Sequence, residues 1–242
     1  MSLQNQKVNI FETPQAVAQA LANEFQRAAQ EAEHAGRLLH VALSGGSTPR
    51  HFFRLLSRPK MCLGIPWKGV HVYWADERCV PSDHPDSNFK SAWESFLKFV
   101  PIPKENIHRI PGEESPDRAC RLYSEMLEVH LSRGSAGGPR FDWVLLGVGI
   151  DGHTASLFPG QKIDAQANCG VTHHPETGQA RISLGLKVIN AADRVSFLVT
   201  GEDKAGILSG LFAKTSPGLP AGQVAATQID WWLDTAAASQ LG

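Results

Sequence analysis

The chain has 242 residues, 42% of them hydrophobic and 19% charged, with a formal net charge of −1 and a pI near 6.8. That length holds one large α/β domain or two small ones, either with a sizeable core, and the near-neutral charge gives no field of the kind a nucleic-acid binder needs. No apolar run approaches the roughly 18 residues of a membrane span and the first residues lack the apolar core of a signal peptide, so a cytoplasmic protein is expected that works on neither nucleic acid nor membrane.

Thr13-Pro14 opens a helix in the preferred way, with a capping hydroxyl before proline at the first helical position, and Val17, Leu21, Phe25 and Ala28 continue it as a packing stripe that Gly36 ends. Residues 38–43 read as a short buried strand, after which comes Ser44-Gly45-Gly46-Ser47-Thr48-Pro49. Two glycines let a ligand approach the backbone, two hydroxyls can donate to it, and the helix that Thr48-Pro49 begins offers free N–H groups to a phosphate. The competing reading is a plain Gly/Ser turn with a helix cap; a Walker loop is absent.

Residues 70–75 form another apolar run that leads into Asp76-Glu77-Arg78, three charges that are usually solvated but that line a cleft if they lie beyond a strand's carboxyl end. Ser87 or Asn88 caps the helix that carries Trp93, Phe96 and Leu97, and Ser115-Pro116 caps another with Ala119, Leu122, Tyr123 and Met126 on one face. Residues 134–139 read as a surface turn. Cys62, Cys79, Cys120 and Cys169 are scattered without a C-x-x-C pair and read as buried or idle thiols, with neither a disulfide framework nor a zinc site expected.

The chain is organised around residues 143–160. The apolar run Trp143-Val144-Leu145-Leu146 breaks at Gly147 and Gly149 and delivers Asp151 and His153 beyond it, where open α/β sheets bind ligands. Gly147, Gly149 and Gly152 match the dinucleotide fingerprint, but Pro159 and Gly160 cut off the helix it requires and Glu176 has no strand pattern before it, so that reading is set aside. Residues 161–180 lack periodicity and read as an excursion over surface or cleft, in which His173 and His174 point opposite ways and are an exposed pair sooner than metal ligands. Residues 181–186 and 195–200 resume strand patterns. Lys204 is placed in the first turn of the helix of Ile207, Leu208, Leu211 and Phe212, where a cation opposes the dipole and a bound phosphate explains it; a surface lysine is the alternative. Residues 225–233 are apolar enough to dock on the body.

Four polar clusters, at 44–48, 76–78, 151–153 and 202–204, each follow an apolar strand, so a doubly wound sheet brings them to one edge. Together they supply an anion cradle, cations, carboxylates and one histidine suited to base work near neutrality. The expected fold is a single α/β domain over residues 1–242, with a doubly wound, mainly parallel, Rossmann-like sheet and helices on both faces.

These motifs, continued by Arg181-Ile182-Ser183, by residues 201–205 and by Trp232-Leu233-Asp234, resemble the 6-phosphogluconolactonases of the glucosamine-6-phosphate isomerase/6-phosphogluconolactonase family across nearly the whole chain. The related deaminases carry Asp-Glu-Tyr and a loop ending Asn-Glu-Pro; this sequence has Arg78 and Leu157-Phe158-Pro159 there. The resemblance implies hydrolysis of a phosphorylated sugar lactone in the oxidative pentose phosphate pathway, without cofactor or metal, by a monomer or small homo-oligomer. It implies His153 as general base, Asp151 and Asp76 as orienting carboxylates, and Arg78 at the developing oxyanion or orienting substrate. Gly45, Gly46, Ser47, Thr48, Asn88, Arg181 and Lys204 are implied as substrate-binding residues. Two other classes stay open at this stage: a sugar-phosphate isomerase or deaminase, and a non-catalytic sugar-phosphate-binding module.

Overall fold

The computed structural model describes residues 6–134, 137–161, 163–215 and 218–241; the first five residues and residues 135–136 of the expected surface turn lie outside them. The chain opens with β1 (Gln6–Phe11) and α1 (Pro14–His34), whose cap is as expected: the Thr13 hydroxyl accepts from Ala16 N. The buried stripe of α1 holds Val17, Leu21, Phe25, Ala29 and Ala32. Phe25 sets its ring against Phe52, Trp67 and Trp143, a burial that contributes roughly 2–3 kcal/mol. Then follow β2 (Leu39–Leu43), α2 (Pro49–Leu56), α3 (Pro59–Leu63), β3 (Val70–Trp74), β4 (Asp76–Arg78), α4 (Asn88–Ser95), β5 (Ile107–His108) and α5 (Pro116–His130). A hairpin of β6 (Ser132–Arg133) and β7 (Pro139–Arg140) leads to β8 (Trp143–Leu146), β9 (Cys169–His173), β10 (Ala180–Leu184), α6 (Leu186–Ala191), β11 (Arg194–Val199), α7 (Ala205–Phe212) and β12 (Gln228–Asp234).

Seven strands form one parallel sheet in the order β1-β12-β11-β8-β2-β3-β5. From β1 to β5 the chain steps one way across the sheet, and from β5 to β12 it steps back. Right-handed crossovers therefore put α1, α2 and α4 on one face and α5, α6 and α7 on the other. The direction reverses between β2 and β8. That gap is the topological switch point, and the loops after β2 and β8 open from it. The doubly wound α/β fold is thus present, as the alternating pattern predicts.

Three readings need correction. Residues 38–43, the first strand read in the chain, are not the first of the sheet: β1 precedes α1 and forms an edge, with Val8 and Ile10 exposed, so no buried alternation marks it. Residues 228–234 do not dock as a tail but form an inner strand between β1 and β11, all of it buried except Gln228. Residues 76–78 and 181–184 belong to a separate antiparallel sheet, β4-β10-β9, whose third strand lies inside the stretch read as an excursion. Ser87, one of the two residues expected to do so, caps α4 through Lys90 N, while the hydroxyls of Thr48 and Ser115 make no cap hydrogen bond.

The amino ends of the central strands gather four histidines. His71 Nδ1 lies 3.0 Å from His108 Nε2, His40 Nδ1 lies 3.0 Å from the Tyr73 hydroxyl, and the His130 ring sits against His108 with centroids 4.5 Å apart. Burial, and then the neighbouring imidazoles, push His40 down to about 4 and His108 to about 3, with His71 lowered in the same direction. These rings stay neutral in the folded protein where the unfolded chain, near 6.5, takes up protons. Stability is therefore full above about pH 6.5 and is lost as pH falls toward 4. Allowing for their partial contact with water, the expected loss by pH 4.5 is about 1–2 kcal/mol, or roughly 5 °C in Tm. Thermal melts across pH 4.5–7.5 check this: the slope is shallower in His108→Asn, and an equal slope in the variant refutes the assignment.

Candidate active site

A cavity of about 580 Å³ opens at the switch point, lined by the loop after β2 (Ser44, Gly45, Gly46, Ser47 and Thr48), by Asp76, Arg78 and Asn88, by His153, and by Arg181 and Lys204. Every predicted site residue lines it except Asp151, which stands behind His153.

One wall is assembled around Asp76, which is buried. Ser156 Oγ donates to its Oδ2 at 2.7 Å, and Asn88 Nδ2 donates to its carbonyl at 3.0 Å and to Oδ1 at 3.3 Å. Ser156 N in turn donates to Ser183 Oγ, and Thr172 Oγ1 to Ser156 O, so this network ties the loop after β8 to the antiparallel sheet. Glu77, next to Asp76 but not in the cavity wall, accepts from Ser87 Oγ and from the backbone N–H groups of Arg78, Asn88 and Phe89. Burial pushes its carboxyl up against the pull of those four donors. The Asp-Glu-Arg triplet is therefore divided: one residue anchors the start of α4, and its two neighbours face the site. Ser156, Ser183 and Thr172 had no local sequence signal, because hydroxyls in strands and turns are common and only tertiary contact gives these a role.

Gly45 explains itself against Asn88. A Cβ there would lie 1.8 Å from Asn88 Oδ1, so any side chain drives Asn88 off Asp76. Gly45→Ala is expected to lower kcat/KM at least about tenfold, the equivalent of one lost hydrogen bond to a charged group, while circular dichroism stays native. An undisturbed kcat/KM would remove Asn88 from its positioning part.

His153 Nδ1 lies 2.6 Å from Asp151 Oδ1, and His153 N donates to the same oxygen at 3.2 Å. A carboxylate only accepts, so Nδ1 carries the proton and Nε2 is left with a free lone pair. Nε2 has no hydrogen-bond partner among the described residues. Burial works to raise the Asp151 pKa, but the hydrogen bonds from His153 and the attraction of its protonated form prevail and hold it below its ordinary value. The tight loop needs Gly149: a Cβ there would sit 2.1 Å from His153 Nδ1. Phe158 packs against the imidazole with centroids 5.0 Å apart and also meets the His174 ring at 5.5 Å; His174 lines the cavity while His173 faces solvent.

The cationic wall comes from two sheets. Arg78 on β4 and Arg181 on β10 are direct partners across the antiparallel ladder, where like charges oppose each other. Burial, then the nearby Arg78 charge, lowers the Arg181 pKa. The Arg78 Nη1 donates to Asp86 O, yet Arg78 Nε, Arg181 Nε and the Ser44 hydroxyl are buried with no hydrogen-bond partner among the described residues. Three orphaned polar groups on one cavity mark a place built for an anion. Lys204 ends a short 3-10 turn just before α7, not inside its first turn as expected, with Nζ 3.4 Å from Asp203 Oδ2. Asp234, closing β12, accepts from Gly201 N and Ala237 N and holds that turn in place.

Residues 12–232 match the model of the family described as glucosamine-6-phosphate isomerases/6-phosphogluconolactonase. The chain belongs to this family. A protein of Haemophilus influenzae named 6-phosphogluconolactonase is 41% identical over 204 residues, covering 82% of this chain and 86% of the relative. One of Aggregatibacter actinomycetemcomitans with the same name is 38% identical over 236 residues, covering 96% and 98%. The solved structure of the 6-phosphogluconolactonase from Trypanosoma brucei superposes with a TM-score of 0.86 at 27% identity, covering 98% of this chain and 99% of that one. In this member of the glucosamine-6-phosphate isomerase/6-phosphogluconolactonase family, Leu157 is buried and Arg78 reaches the cavity, so the two positions that set the sequence apart from the deaminase pattern take up a core role and a site role. No helix among the described residues is long and apolar enough to cross a membrane.

Proposed function

We propose that this protein hydrolyses 6-phospho-D-glucono-1,5-lactone to 6-phosphogluconate, the lactone-opening step of the oxidative pentose phosphate pathway. The observation that carries the reading is the pairing, in one cavity, of an Asp-oriented imidazole with two arginines whose buried Nε atoms have no partner among the described residues. It fits a chain whose relatives named 6-phosphogluconolactonase match it over most of its length.

The phosphate sits among the backbone and hydroxyls of residues 44–48, bidentate on Arg181 and near Lys204, at the start of α2. His153 Nε2 removes a proton from water as the oxygen attacks the lactone carbonyl, and Asp151 steadies the imidazolium that forms. Arg78 faces the charge that develops on the carbonyl oxygen. The intermediate collapses with breakage of the bond to the ring oxygen, which takes the proton back from His153. Asp76, held by Asn88 and Ser156, orients sugar hydroxyls or Arg78. Water is the only co-reactant this balance requires. The whole chain is read as one catalytic domain working in the cytoplasm as a monomer or small homo-oligomer.

The test is to generate the δ-lactone in situ and follow its disappearance above the spontaneous rate. Acceleration by the protein supports the reading; no acceleration, with ammonia released from glucosamine 6-phosphate, moves the protein to the deaminase class.

A further inference from the structure

The fold brings together two cysteines that lie 49 positions apart in the chain. Cys120, on α5, and Cys169, opening β9, have their sulfur atoms 2.9 Å apart, and Cys169 Sγ also lies 3.0 Å from Cys120 O and 3.0 Å from Ser124 Oγ. All four cysteines are free thiols, but Cys120 and Cys169 are neighbours because helix α5 packs on β9 and β10. Neither sulfur lines the active-site cavity.

We propose that Cys120 and Cys169 form a reversible disulfide under hydroperoxide, fastening α5 to the antiparallel sheet that carries Arg78 and Arg181. The two thiols differ as such a reaction needs. Cys120 is half-buried, while Cys169 is buried. The hydrogen bond from Cys169 lowers the Cys120 pKa against the opposing effect of burial, whereas that bond and burial raise Cys169. Cys120 is therefore the sulfur that peroxide meets first as thiolate. Its Sγ bonds to one peroxide oxygen as the O–O bond breaks, giving a sulfenic acid and one water. Cys169 Sγ then attacks Cys120 Sγ, the S–O bond breaks, and the hydroxyl leaves as a second water with the thiol proton. Two thiols and one hydrogen peroxide become one disulfide and two waters. Dithiothreitol reverses the step.

The bridge joins elements that already touch and leaves the cavity untouched, so kcat and KM of the oxidised protein equal those of the reduced protein, while the thermal half-life of activity lengthens severalfold. The experiment treats the folded protein with equimolar hydrogen peroxide and reads intact mass, free thiols and non-reducing peptide maps. Expected are a loss of about 2 Da, a fall from four free thiols to two, and a single linked peptide pair holding Cys120 and Cys169, all reversed by dithiothreitol. Cys120→Ser, which keeps the size and a donor, loses the link and the lengthened half-life. Oxidation of Cys120 to sulfinic acid with Cys169 still reduced, linkage through Cys62 or Cys79, or a link that leaves the half-life unchanged overturns the proposal. None of these outcomes bears on whether the protein opens a lactone.

Discussion

His153→Ala is expected to lower kcat at least about 100-fold, while inorganic phosphate still competes with substrate at its wild-type inhibition constant. The split follows from the geometry. Nε2 of His153 has its lone pair free because Asp151 Oδ1, 2.6 Å from Nδ1, fixes the proton on the other nitrogen. The groups proposed to hold the phosphate, by contrast, lie on the loop after β2, on β10 and in the turn before α7, so removing the ring leaves them in place. Steady-state kinetics above the spontaneous rate checks both halves. A variant that keeps its turnover would strip His153 of the base role, and one that loses phosphate competition as well would mean that the ring supports the binding wall.

Arg181→Met is expected to lower kcat/KM at least about 30-fold, near 2 kcal/mol, mainly through KM, yet to hold or raise Tm in phosphate-free buffer. Two arginines opposed on a ladder, each with a buried Nε that has no partner among the described residues, are expected to destabilise the ligand-free protein. Methionine keeps most of the volume and removes the repulsion. The wild type gains Tm as inorganic phosphate is added, and the variant gains less. Calorimetric melts with and without phosphate decide it: an unchanged response to phosphate excludes Arg181 from the anion site, and a Tm that collapses in the variant makes the arginine structural. Stability set aside at a binding site in this way separates a functional charge from a packing one.

Much of the site is readable in the primary structure because its chemistry sits in short contiguous motifs. Gly45-Gly46, Asp151-Gly152-His153 and the Asp76-Glu77-Arg78 triplet each follow a run of buried residues, and a parallel sheet carries whatever follows its strands to one edge. What each residue does within a motif is not readable that way. Glu77 anchors α4 and Asp151 stands behind His153, while their neighbours Asp76 and His153 face the cavity, and only the local backbone path makes that division. Lys204 shows the same limit, because a 3-10 turn ahead of α7 shifts its position by one turn boundary.

The sequence by itself determined the doubly wound class, the four central strands β2, β3, β8 and β11, the cap at Thr13, and most of the residues that line the cavity, since hydrophobic period, capping chemistry and contiguous motifs are local properties. The tertiary structure alone decided that β1 and β12 complete the sheet, that Arg78 faces Arg181, that Ser156 serves Asp76, and that Cys120 meets Cys169. Each of these joins residues dozens to hundreds of positions apart. Strand neighbours, ladder register and helix-on-sheet contacts arise when apolar faces find one another, and no window along the chain contains both partners.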